Sequence, residues 1–203
     1  MRLLEAIEKK ADLTGCDFSN GIIDGQSLSG LAFCFSTFTC SSFKNIVFEN
    51  IDFSECFMPE ADFTNSKFIN CNFERANFQR TTFDKCHFEN CSFRYTFMGL
   101  TKFINCDIIN STMEKAQMLD ASILNSRFLN VDFTDTILKG SYFENSLLEN
   151  INFINTDLRN VSFKSTTLKN IKDENTKFYG KKPWGGVSSE SHPLDEYNSE
   201  GAD

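Results

Sequence analysis

Two histidines and eight cysteines are the residues of this 203-residue chain that could ligate a soft metal, carry a redox couple or serve as base and nucleophile. His87 and His192 lie far apart in the sequence, and neither has around it the nucleophile, base and orienting group of a hydrolase. His87 reads as a surface residue. Gly25 and Gly30 do not form a phosphate loop, because no strand-to-helix junction follows them. Cys16, Cys56, Cys71, Cys86, Cys91 and Cys106 each stand two residues before a large apolar residue, in a slot otherwise filled mostly by Ala, Ser, Thr and Val. Such cysteines are expected to be small buried thiols in a reducing compartment rather than a disulfide frame. The expectation is a protein that is not an enzyme and takes no cofactor or metal.

The cysteine slot belongs to a pattern that organises the whole chain. From Ala61 to Phe93 the sequence ADFTN SKFIN CNFER ANFQR TTFDK CHFEN CSF repeats every five residues. An apolar residue occupies every fifth position from Leu13 to Leu168, 32 repeats without an insertion. Of the 23 phenylalanines, only Phe35, Phe57 and Phe97 fall outside this register. The aromatic excess is therefore a core device. Of the net charge of −8, part comes from the end of the chain, where Glu190, Asp195, Glu196, Glu200 and Asp203 outnumber Lys181 and Lys182. Basic residues are scattered without a stripe, which argues against direct nucleic-acid binding. No apolar run is long enough for a membrane span, and Met1 to Lys10 lacks the apolar stretch of a signal peptide. A cytoplasmic location is expected.

Counting from the central apolar residue i, position i−2 is small, i−1 is polar, and i+2 is most often Asn, Gly or a charged residue. A period of five fits neither helix nor strand, but it fits a chain that turns a corner every five residues with i and i−2 inward. Asn suits the corners because it tolerates the left-handed backbone. Residues 1–10 place Leu3, Leu4 and Ile7 at helical spacing, which predicts a short capping helix over the open end of a stacked core. The apolar register breaks at Asp173 and returns once at Phe178, where stacking is expected to end. Residues 179–203, rich in Gly, Ser, Pro and acid, are expected to form a flexible polar tail, with Trp184 able to fold back over the end.

The pattern resembles the pentapeptide repeats, A(D/N)LXX, seen nearly verbatim in the ADFTN that starts at Ala61. The resemblance covers residues 11–178 and implies an all-β fold, a right-handed quadrilateral β-helix with four repeats per coil and residues twenty apart stacked. About eight coils at roughly 4.8 Å would give a rod about 38 Å long. Under that stacking, Phe33, Phe53, Phe73 and Phe93 form one internal ladder, and Phe43, Phe63, Phe83 and Phe103 another. Asn50 to Asn170 form an external Asn column. Cys71 stacks on Cys91 and Cys86 on Cys106, but parallel stacked thiols do not converge as tetrahedral ligands must.

Candidate binding residues are the outward positions that break the polar rule. Phe57, Phe97, Leu100, Leu119 and Ile137 share one column set, bordered by Lys139, and contiguous exposed apolar surface marks an interface. Val47, Ile69, Ile109, Leu129 and Leu147 form a more diluted set, and Ile104 with Leu124 a third. The favoured function is a rigid protein-interaction scaffold whose partner is another protein or a second copy of the chain. The resemblance also implies an alternative, because some bacterial pentapeptide-repeat proteins mimic B-form DNA and bind DNA gyrase, giving quinolone resistance or toxin immunity. The residues for that role are Asp12, Asp52, Glu55, Glu74, Glu114, Asp132 and Asp135, a face interrupted by Arg75, Arg94 and Lys115. The chain has neither the inserted loop nor the C-terminal pairing helix of gyrase-binding members. A secreted effector, or a module of one, is a second alternative from the family.

Overall fold

The computed structural model describes residues 12–185. The capping helix expected over 1–10 and the part of the expected tail beyond Gly185 lie outside the described residues.

The backbone obeys the period of five without exception. Every fifth residue from Gly15 to Gly180 has a positive φ, whether it is Gly, Asn or a bulkier residue such as Phe35 (62°), Tyr95 (58°) and Leu100 (60°). Each is a corner. Side chains with a Cβ find the left-handed region costly by roughly 1–2 kcal/mol, and Asn and Gly least so, which is why they dominate this position. The corner is closed by a turn bond from i+3 to i, as in Ser36 N–H to Phe33 O (2.9 Å) and Ala76 N–H to Phe73 O (2.9 Å).

Four sides of five residues complete one coil, so partners lie twenty apart and all pairing is parallel. Face I, centred on Ile23, Phe43 and their successors to Phe143, is a seven-stranded sheet from Ile22–Asp24 to Tyr142–Glu144. Face II, centred on Leu28 to Leu168, is an eight-stranded sheet from Ser27–Ser29 to Thr167–Lys172. Face III, centred on Phe33 to Phe153, and face IV, centred on Phe18 to Phe178, are held by isolated bridges such as Asp52↔Asn72 and Phe57↔Asn77. The product is a parallel β-solenoid of about eight turns.

The core is continuous along its axis. Phe48, Phe68 and Phe88 stack at 4.9 and 4.6 Å with nearly parallel rings, and the two expected ladders stack at 4.8–5.3 Å. Rings of neighbouring ladders meet edge to face, as for Phe83 and Phe88 at 5.2 Å. Both geometries suit the ring quadrupole.

Where the i−2 slot holds Ser, Thr or Cys, the polar atom has a task. Most of these hydroxyls and thiols donate to the carbonyl of the residue 23 earlier, one coil below: Ser36 to Leu13 O (2.6 Å), Thr81 to Met58 O (2.6 Å), Cys56 to Phe33 O (2.8 Å) and Cys106 to Phe83 O (3.3 Å). Ser, Thr and Cys interchange there because each is a small buried donor. Outside, Asn side chains bond up the coils, linking 50 to 90 and 110 to 170 in steps of 2.7–3.2 Å.

The break in the apolar register at Asp173 does not interrupt the backbone. Positive φ recurs at Asn175 and Gly180, Asp157 bridges Lys177, and Thr176 Oγ1 donates to Phe153 O at 2.6 Å. Asp173 occupies a central position because it is the last of its column, where Lys182 pairs with it. Trp184 then covers the open end, its ring 5.7 Å from each of Phe153, Phe163 and Phe178. Residues 179–185 therefore finish the core.

Candidate protein-interaction face

Face IV carries the outward apolar residues. Its i−1 column runs Asp17, Thr37, Phe57, Asn77, Phe97, Gln117, Ile137, Asp157, Lys177, each bridged to the next. Leu119 stands in the i+1 column between Gly99 and Lys139, and Leu100 at the corner between faces IV and I. The i−1 and i+1 side chains of a short strand point away from the side that i buries, so burial of Met58, Met98, Met118 and Leu138 forces Phe57, Phe97, Leu119 and Ile137 outward. The five candidates are 37–48% exposed, and all are among the exposed large hydrophobic residues of the described chain.

The alternative apolar sets behave differently. Val47, Ile69, Ile104, Ile109, Leu124, Leu129 and Leu147 are only partly exposed on faces I and II. The sequence did not single out Ile22 (77% exposed) and Tyr142 (47%) on face I, or gather Phe35 (59%), at the corner before face IV, with a candidate site. Phe35 carried a signal, as one of three phenylalanines outside the core register; Ile22 and Tyr142 stand singly among polar neighbours in their column.

The carboxylates proposed for an acidic face lie on face III and its following corner, where most are engaged. Asp52 accepts from Ser54 N–H (2.9 Å) and Asn72 Nδ2 (3.1 Å), and Asp12 from Thr14 N–H (3.0 Å). Asp132 accepts from Thr134 N–H (2.9 Å) and Oγ1 (2.6 Å), and Asp135 from Asn155 Nδ2 (2.9 Å). Glu74 pairs with Arg75 (3.0 Å), and Glu114 with Arg94 (2.7 Å) and Lys115 (3.4 Å). Glu55 is exposed. Arg75, Arg94 and Lys115 also gather over the Tyr95 ring at 5.2–5.8 Å, and Lys115 Nζ donates to the Tyr95 hydroxyl at 3.2 Å, holding it below the usual tyrosine range. Three cations thus divide the acidic groups into short segments.

Burial pushes the Cys56 thiol up to about 12. Cys86 and Cys91 are also raised, each by a hydrogen bond with the stacked cysteine one coil away and by burial. These thiols stay protonated and unreactive. All eight cysteines are free, and among the described residues no three His, Cys, Asp or Glu side chains come together as a metal would need. No helix of the described residues is long and apolar enough to cross a membrane.

Comparison with known proteins agrees with the geometry. A model of pentapeptide repeats (8 copies) matches residues 60–94 and 71–108, and a pentapeptide repeat region model matches 98–172. No curated protein matches the chain in sequence. Among solved structures, full-length QnrB1, a plasmid-mediated fluoroquinolone resistance protein, superposes with a TM-score of 0.51 at 18% identity over 76% of this chain and 94% of its own. HetL, a pentapeptide repeat protein involved in heterocyst differentiation regulation from the cyanobacterium Nostoc, covers 92% of this chain and 99% of its own at 13% identity, with a TM-score of 0.41. The unbroken register, the corner at every fifth residue and the matched family models make this chain a pentapeptide-repeat protein.

Proposed function

We propose that the protein is a non-enzymatic scaffold that docks a protein partner on face IV. The observation that carries this reading is the gathering of Phe57, Phe97, Leu100, Leu119 and Ile137, all exposed, on one side of a rod whose other outward columns are mostly polar or partly covered. A rigid rod gives such a face a fixed shape, so little ordering entropy is lost on docking. Eight free thiols support a reducing compartment, the cytoplasm.

The test is to replace Leu119 and Ile137 with Lys and compare the variant with wild type in cross-linking and affinity capture. Loss of the wild-type partner with folding intact supports the reading, and an unchanged partner set refutes it. Gyrase binding by DNA mimicry is the competing reading, brought to mind by the QnrB1 fold; the segmented acidic groups of face III give it little support. A gyrase supercoiling assay with and without a fluoroquinolone separates the two: protection from the drug would favour mimicry and redirect mutagenesis to Asp52, Glu74, Glu114 and Asp132.

A further inference from the structure

Face IV is self-complementary when its direction is reversed. Numbering its nine levels from Phe18 to Phe178, the middle one is Met98, and a twofold axis across the face there brings each level against its mirror level on a second copy. Phe57 then meets Ile137 of the second copy, Phe97 meets Phe97, and Leu100 meets Leu100. Asn77 meets Gln117, two amides able to exchange hydrogen bonds. The charges follow the same rule: Asp17 lies level with Lys177, Glu60 with Lys139, and Arg80 with Asp120, all six exposed. Glu60 and Arg80 also pair with each other within the chain at 3.4 Å, an exposed contact that Lys139 and Asp120 of the second copy would extend into a network, and Asp157 and Arg159 are satisfied within the chain by a bidentate contact (2.9 and 2.6 Å).

Other placements lose these matches. Moving the axis by one level puts Asp120 against Asp120; a half-level shift sets Phe97 against Gln117 or Asn77. A parallel pair, with the axis along the rod, sets Ile137 against Lys139, Arg80 against Arg75 and Glu60 against Glu55. In the antiparallel pair Leu119 lies level with Gln79, and the one strip of like charges is the rim at the corner before face IV, where Arg75 is level with Lys115 and Glu55 with Asp135. There Arg75 and Lys115 are already neutralised by Glu74 and Glu114 (3.0 and 3.4 Å), and solvent screens the rest.

The middle level also gives the largest overlap, the full length of the face. A side about 38 Å long and at most about 16 Å wide, from five residues at roughly 3.3 Å each, covers about 600 Å² per copy. The total, about 1,200 Å², reaches the lower edge of specific interfaces.

We infer that the occupant of face IV is a second copy of this chain, paired antiparallel about a twofold axis at Met98. This rests on the proposed role of face IV as a docking surface and names its partner. The test is sedimentation of the full chain across low to high micromolar concentration. Wild type is expected to pass from monomer to dimer. Arg80→Glu and Asp120→Arg should each weaken the dimer about tenfold or more, and the double reversal should restore it to within about threefold. Leu100→Lys, which meets its own copy on the axis, should abolish it. In a Cys40→Ser background, Leu100→Cys should cross-link to itself, and Ile137→Cys should cross-link to Phe57→Cys only when the two are mixed. A wild-type chain that stays monomeric overturns the inference; if Leu119→Lys with Ile137→Lys still loses a different bound protein, the docking role of face IV stands without it. A dimer indifferent to Leu100→Lys and Arg80→Glu places the contact elsewhere and overturns the inference. Weakening by both single reversals without rescue in the double rejects the antiparallel register.

Discussion

Replacing Leu119 and Ile137 together with Lys should leave the rod folded. The two side chains are 42% and 37% exposed, so roughly three-fifths of each is covered by its neighbours. Full burial of such a side chain is worth about 1.5–3 kcal/mol, which puts the covered part near about 1–2 kcal/mol. The methylene stem of Lys can lie along the same surface and keep most of that, leaving a loss of about 0.5 kcal/mol at each site. Lys at 119 also lies one coil from Lys139, a surface repulsion below about 1 kcal/mol. The sum stays below about 2 kcal/mol. The assay is urea unfolding followed by far-ultraviolet circular dichroism, with wild type and Phe88→Ala alongside. Phe88 is 0% exposed, with Phe68 stacked on it at 4.6 Å, so its truncation should cost about 3–5 kcal/mol. A double-Lys variant that falls as far as Phe88→Ala would show that Leu119 and Ile137 are core residues and would refute the outward assignment of the whole column.

Three further outcomes follow from the same structure. Phe163→Ala, at a half-buried position under Trp184 near the end of the rod, should cost less than Phe88→Ala in that assay, because part of its ring is already in contact with solvent. Titration with a thiol reagent should find Cys40 fast, the half-buried Cys16 and Cys34 slower, and the five buried thiols reactive only after denaturation. Burial raises the pKa of Asp157, but hydrogen bonds and charge from Arg159 outweigh it and hold the carboxyl below its ordinary 3.8. A folded pKa below the unfolded one means stability that is present above pH 3.8 and lost as pH falls through the folded value. Asp157→Asn should therefore be less stable than wild type at neutral pH and should show a shallower acid limb in thermal melts below pH 3.8.

The period of five made most of the fold legible. Phe63, Phe68 and Phe73 announce inward positions, and the Asn residues at 65, 70 and 90 announce corners, because each position of the repeat has one physical task. What the period does not encode is the pairing of long side chains outside. Glu74 looks like part of an acidic face until Arg75 is seen to hold it, and Tyr95 looks like an ordinary corner until three cations gather over its ring. Asp173 broke the apolar pattern in sequence but not in the backbone, since an end position can accept a carboxylate that Lys182 reaches. Leu100 was legible as an outward residue. That it also sits at φ 60°, where Asn would be easier, needed the structure.

The most direct test of the central claim, that face IV is covered when the protein works, is carbene footprinting of the full chain in cell lysate against the dilute purified chain. Phe57, Phe97, Leu100, Leu119 and Ile137 are expected to lose labelling together in the lysate, while Ile22 and Tyr142 on face I keep theirs. Equal labelling of face IV in both samples, or protection confined to face III around Asp52, Glu74 and Glu114, would contradict the account.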